Sequence, residues 1–187
     1  DYSGEEEYLN SCMEYMEDKI QSLMYQIVHY IQSEERNTTI WKELEDVKEQ
    51  AEKYIHIAME YQDNTFTNLP DYYIRYFEMR ALQCDILHML HYKIRKIRKM
   101  PQEAHELAKY IEYLIPFIHE KNDPQPQITS LHQMLKDKQE EDLPTSRIEF
   151  ESRAMLLHIY MDLEEFLYTK KKFIDQTTEE QKKLYWR

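Results

Sequence analysis

Three side chains at one spacing carry the clearest chemical suggestion in this sequence. Tyr72, Tyr76 and Arg80 lie four residues apart, so on a helix they share one face. A guanidinium binds a carboxylate through two parallel hydrogen bonds, and aromatic rings beside it can flank a flat ligand. That set would suit recognition of an aromatic acid. A second reading uses the same residues as packing. Arg80 or Arg75 would then meet Glu149, Glu151 or Asp162 as an ion pair between helices, with the tyrosines filling the bundle. Asp162 stands among Met155, Ile159 and Phe166 on a partly apolar face. A half-buried carboxylate needs a partner there. It would act either as a proton-linked switch or as the anchor of an arginine from a neighbouring helix.

Two other groups have metal-like or lipid-like spacing. Cys84, His88 and His91 follow steps of four and three and could face one way, but a tetrahedral site needs a fourth ligand that the sequence does not display. No His has Glu three residues before it, which excludes the di-iron bundle pattern. No metal and no cofactor are expected. Lys93, Arg95, Lys96, Arg98 and Lys99 place five bases in seven residues of an acidic chain. At a helix C-terminus each would gain ~0.3–1 kcal/mol from the helix dipole. Against anionic lipid headgroups each would gain ~1 kcal/mol, making this the candidate membrane-facing edge. A solvated helix end is the plainer reading. Lys170, Lys171 and Lys172 form a weaker second basic run. Gly-x-Ser-x-Gly, His-Glu-x-x-His and Cys-x-x-Cys are all absent, so nothing in the sequence argues for an enzyme.

The elements that must position these residues read as helices. Apolar steps of three and four run through Leu9, Met13, Met16, Ile20, Leu23, Ile27 and Ile31, predicting a helix over about 5–33. A second, over about 40–62, carries Ile40, Leu44, Val47, Ala51, Tyr54, Ala58 and Tyr61. Asn37-Thr38-Thr39 connects the two, and Asp63-Asn64-Thr65 ends the second. A third starts near Pro70 and Asp71 and runs to about Lys99, before Pro101. A fourth covers about 102–121, with Pro116 kinking it or splitting its last turn. Residues 122–127 read as a loop and about 128–138 as a short helix. Thr145 or Ser146 caps a long helix over about 146–174, with Glu149 in capping range. Its stripe is Ile148, Ser152, Met155, Ile159, Leu163, Phe166, Lys170 and Phe173. Thr177-Thr178 starts a last short helix toward Arg187. The expected fold is all-α, an antiparallel bundle of four to five long helices plus one or two short ones, in a single domain over 1–187. Residues 1–8 and 176–187 are expected to be peripheral.

Composition agrees with that class. One Gly in 187 residues leaves no room for the tight turns and phosphate-cradling loops of sheet and nucleotide-binding folds. A net charge of −12 argues against nucleic acid as a partner. Two Cys build no disulfide framework. No apolar run approaches the ~18 residues that would cross a bilayer. The load of 16 Tyr and 10 Met, with long heptads over 5–33 and 40–62, makes a homo-oligomer plausible.

Two long motifs then point to a family. One is Tyr72-Tyr73-Ile74-Arg75-Tyr76-Phe77-Glu78-Met79-Arg80. The other runs from Leu143-Pro144-Thr145-Ser146-Arg147-Ile148-Glu149-Phe150-Glu151-Ser152-Arg153-Ala154-Met155-Leu156 on to Asp162-Leu163-Glu164-Glu165-Phe166-Leu167. In this order and separation, over about residues 10–175, they resemble the C-terminal domain of the putative aromatic acid exporter family of bacteria. The resemblance implies a helical domain on the cytoplasmic face of the membrane, following an N-terminal set of transmembrane helices that would be its main partner. It implies a role in assembly, regulation or ligand sensing for that membrane part, with an aromatic carboxylate as a possible ligand. A free-standing helical interaction module without a transport role is the alternative. One departure stands out: residues 1–18 hold seven acids and no Lys or Arg, whereas a segment next to a membrane on its cytoplasmic side usually carries positive charge.

Overall fold

The computed structural model describes residues 3–33, 39–64 and 71–186. Asn37, Thr38, Thr65, Pro70 and Arg187, which bound the predicted helices and connections, lie outside them. Among the described residues seven α-helices follow in order: α1 (Ser3–Ser33), α2 (Thr39–Asn64), α3 (Tyr72–Lys96), α4 (Ala104–Leu114), α5 (Gln125–Lys138), α6 (Arg147–Gln176) and α7 (Glu179–Tyr185). No strand occurs among the described residues.

α3 is the central element. It packs against α2 on one side and α6 on another, and it also touches α1. α4 lies on α1, and α5 on α6. The seven α2 positions predicted to face inward are the seven that are buried. Ile40, Leu44 and Val47 each contribute roughly 1.5–3 kcal/mol by leaving water. α3 differs: thirteen of its side chains are buried, including Arg80, Gln83 and His91, so it has no single apolar stripe.

Directions follow from the cross-helix bonds. Tyr61 of α2 donates to Glu6 of α1 and Tyr73 of α3 to Asn10 of α1. At the other end Lys48 of α2 pairs with Asp85 of α3 at 2.7 Å, and Tyr30 of α1 packs edge-on against His91 of α3. The N-terminal end of α1 therefore meets the start of α3, and the C-terminal end of α1 meets the end of α3.

Three boundaries depart from expectation. α3 stops at Lys96, not Lys99, because Ile97 turns to extended backbone and caps it, so Arg98 and Lys99 lie beyond the helix. The predicted helix over 102–121 ends at Leu114 and passes into a 3-10 turn, Ile115–Phe117. Pro116 has no N–H to continue the α-helical ladder. α5 starts at Gln125, three residues earlier than expected, because proline in its first turn costs no hydrogen bond. Ser146 is the N-cap of α6, accepting from the Glu149 amide at 3.1 Å, while Glu149 reaches back to Thr145. Thr178 and Gln181 cap α7 reciprocally.

Candidate functional site

The motif on α3 is folded inward. Arg80 is 1% exposed. Its Nε donates to the Tyr76 hydroxyl at 2.9 Å, one Nη to Gln83 Oε1 at 2.8 Å, and the other Nη lies 3.8 Å from Glu17 of α1 without a hydrogen bond. The Tyr76 hydroxyl donates to Glu17, and Gln83 donates to the Phe166 carbonyl of α6 at 3.0 Å. One chain of polar contacts thus crosses α1, α3 and α6. These residue types fit a helix that is enclosed on most sides: each buried polar head must find a partner on a different neighbour.

A second chain lies beside it. Trp186 donates its indole N–H to the Tyr72 hydroxyl at 2.8 Å, and Tyr72 donates to Glu120. Lys170 of α6, 4% exposed, donates to the carbonyls of His119 at 2.9 Å and Asn122 at 2.7 Å. Burial first, then the nearby Arg80 charge, bring the Lys170 amine down to about 6. Burial also raises the Glu120 carboxyl and lowers His119. Burial drives the Tyr72 and Tyr76 hydroxyls well above their usual value. The result is a cluster of ionisable side chains, Glu17, Arg80, Lys170 and Glu120, inside the bundle.

The remaining predicted residues are dispersed. Arg75 bonds to Gln181 at 2.8 Å, to the Phe173 carbonyl at 3.3 Å and to Asp71 at 3.3 Å. It does not reach Glu149, Glu151 or Asp162. Asp162 holds Lys93 at 2.7 Å, a lysine of α3 where an arginine was expected. Glu149 pairs with Arg153 and Glu151 with Arg147, both within α6. Tyr72, Tyr76 and Arg80 are thus brought together, whereas Asp162 belongs to a separate pair further along the bundle.

Between α3 and α6 a surface groove of about 340 Å³ is lined by Arg75, Met79, Leu82, Tyr168, Lys172 and Phe173, among others. Cys84 is 1% exposed, its thiol pushed up to about 12 by burial, and His91 is held down at about 4 by burial. Among the described residues no three His, Cys, Asp or Glu converge as metal ligands. Arg95, Lys96, Arg98 and Lys99 are exposed. They sit at the end of the bundle opposite the start of α1, about 35 Å away by the length of α3.

Sequence reasoning missed Glu17, Glu120 and the role of Lys170. Lys170 was on the inward stripe of α6, and that position was the available signal. Glu17 lies among surface acids, and only its place between Met13 and Ile20 marks it as inward.

The sequence of residues 6–171 matches the family model described as putative aromatic acid exporter C-terminal domain. A protein of Bacillus subtilis (strain 168), described as uncharacterized protein YqjA, is 27% identical over 158 residues, which cover 84% of this chain and 49% of that protein. The chain therefore spans about half the length of the curated relative it matches. A crystal structure of a putative membrane protein from Clostridium difficile 630 has the same fold, with a TM-score of 0.75 and 19% identity, over 88% of this chain and 98% of that one.

Proposed function

Because this chain belongs to the putative aromatic acid exporter C-terminal domain family, we propose that it serves an attached membrane region as an assembly and regulatory domain on the cytoplasmic face, without catalysis of its own. One observation carries the reading: the Glu17–Arg80–Lys170 cluster is closed. Arg80, 1% exposed, is held by Tyr76 and Gln83 beside the Glu17 carboxylate, and Lys170 is held by two backbone carbonyls. Such a cluster ties α1 to α3 and α6; it does not present a guanidinium to an incoming ligand. No helix of the described residues is long and apolar enough to cross a membrane; in this reading the spanning segments would lie in another part of the protein. A membrane region joined ahead of α1 would stand at the end bearing Glu5, Glu6 and Glu7. The basic residues from Lys93 to Lys99 would then face away from it, which makes a solvated helix end the better reading of that run.

Ligand sensing is a second reading, supported by the α3–α6 groove, whose Lys172 and Tyr168 are both exposed. Titration calorimetry with a series of aromatic carboxylates tests it. Binding that Lys172→Ala weakens supports it, and no heat with any of them removes it. The leading reading is tested in cells making the whole membrane protein. Deleting residues 6–171 should reduce both aromatic acid efflux and recovery of the assembled protein from detergent. Unchanged efflux and assembly would overturn it.

A further inference from the structure

α6 is apolar on two opposite faces. Ile159, Leu163, Phe166 and Phe173 point into the core. Phe150, Leu157, Met161 and Tyr168 are 61%, 50%, 54% and 43% exposed. At 100° per residue these four fall within about 20° of one line along the helix, almost diametrically opposite the core face. They form a seam about 27 Å long, from a rise of 1.5 Å per residue. Singly exposed apolar residues are ordinary, but a straight seam at steps of seven, four and seven is the pattern of a helix that packs on another helix. It lies on the segment of the second long sequence motif, whose Leu143, Ile148 and Phe150 are 86%, 75% and 61% exposed. Tyr168 also meets the His132 ring of α5, and the rest of the seam is exposed.

We propose that this seam is the contact between two copies of the chain, with α6 packed antiparallel to α6 about a two-fold axis beside Ile159. The register is given by the residues. Phe150 of one copy faces Tyr168 of the other, and Leu157 faces Met161, so all four positions are filled from a single axis. On one flank Arg153 faces Glu164 of the other copy, an opposite-charge pair between side chains that within one copy already hold Glu149 and His132. On the other flank Glu151 faces Glu165 and Arg147 faces Lys172, like pairs that keep the affinity moderate. Charge also selects this helix over α1, whose exposed Tyr8, Tyr15 and Tyr25 would be an alternative. α1 carries six acids and one base, and two such faces repel. α6 carries five bases and six acids, so two copies meet there at near neutrality. The seam offers roughly 400 Å² per copy, taking about half of the ~200 Å² of each large side chain. That is about half of what a stable dimer buries per partner, and the stems of the flanking charged side chains can supply the rest. This contact replaces the helix pair 5–33 and 40–62 as the expected surface of association, since the apolar stripes of those helices are spent inside the bundle.

The inference rests on the assembly reading above for its purpose, but its test uses the 187-residue chain alone. Absence of a dimer would remove the seam and leave the need of the exporter for this domain untouched. Sedimentation velocity from 1 to about 200 µM should show a monomer–dimer equilibrium. Leu157→Glu or Met161→Glu should each weaken it by about 100-fold or more, since two copies of the charge enter the seam. Tyr25→Glu should leave it unchanged. Circular dichroism checks that each variant stays helical, which these exposed positions permit. Spin labels on Lys172→Cys should lie about 40 Å apart in the dimer, from 26 residues of antiparallel offset; both native thiols are buried. A monomer at all concentrations, a dimer indifferent to both seam variants, or a label distance under about 20 Å would each overturn the proposal.

Discussion

Lys170 makes the stability of this bundle depend on alkaline pH in a way that one substitution can isolate. Its amine donates to two carbonyls, His119 and Asn122, and a neutral amine has two N–H donors for them. Arg80 from α3, Glu17 from α1, and Glu120 and Asp123 from the segment between α4 and α5 surround it. In the native state the amine titrates at about 6, against 10.5 in the unfolded chain. Between those values the unfolded chain holds a proton that the native chain lacks, so stability rises with pH. Below about 6 both states are protonated and the contribution of Lys170 no longer changes. The slope is ~1.4 kcal/mol per pH unit, so roughly 3 kcal/mol from pH 7 to 9. With an m-value of ~2 kcal/mol/M, the urea midpoint should climb by about 1 M relative to a variant without the amine. Lys170→Met removes the titration and keeps most of the volume. Urea unfolding of both proteins at pH 7, 8 and 9 gives two lines that should converge or diverge by that amount. Parallel lines would refute the reasoning, because they would mean that Lys170 is charged in the native bundle at pH 7.

Two further substitutions probe the polar interior. Arg80→Ala strands Glu17, Tyr76 and Gln83 and should cost about 3–5 kcal/mol, a fall in Tm of roughly 10 °C for a chain of this size; a fall of under 3 °C would show that the cluster does not hold the helices together. Tyr160→Phe removes a buried hydroxyl that has no hydrogen-bond partner and should raise stability by about 1 kcal/mol in chemical denaturation, whereas a loss would reveal a partner for that hydroxyl.

The helices were legible because their apolar spacing is regular. Ile40 through Tyr61 gave the buried face of α2 residue for residue, and the capping residues at Ser146 and Thr178 announced α6 and α7. Pro116 announced the break after α4. The interior charges were harder to read. Arg80, Lys170 and Glu17 come from three helices far apart in sequence, and no periodicity links them. A buried lysine also looks the same as a surface lysine when two more follow it, as Lys171 and Lys172 do here. Arg75 and Asp162 were rightly singled out as residues needing partners, but partner choice depends on the rotation and register of α3 against α6. The apolar stripe of α6 places Ile148 inward because it extends that stripe by one step, yet Ile148 is exposed. The helix runs past the body of the bundle there, and a stripe carries no information about where its neighbours end.

The two tryptophans of the chain lie at the two ends of the bundle, and this gives the protein two separate optical reporters. Trp41 packs against His88 with the rings tilted by 58° and their centroids 3.5 Å apart, near the start of α2. Trp186 is bonded to Tyr72 at the start of α3. Protonated imidazole quenches indole emission, and burial lowers the His88 value. The emission of Trp41 should therefore dim in acid while that of Trp186 follows the docking of the chain's end. With one tryptophan replaced at a time, ordinary fluorescence can tell whether the bundle opens from one end or from both at once.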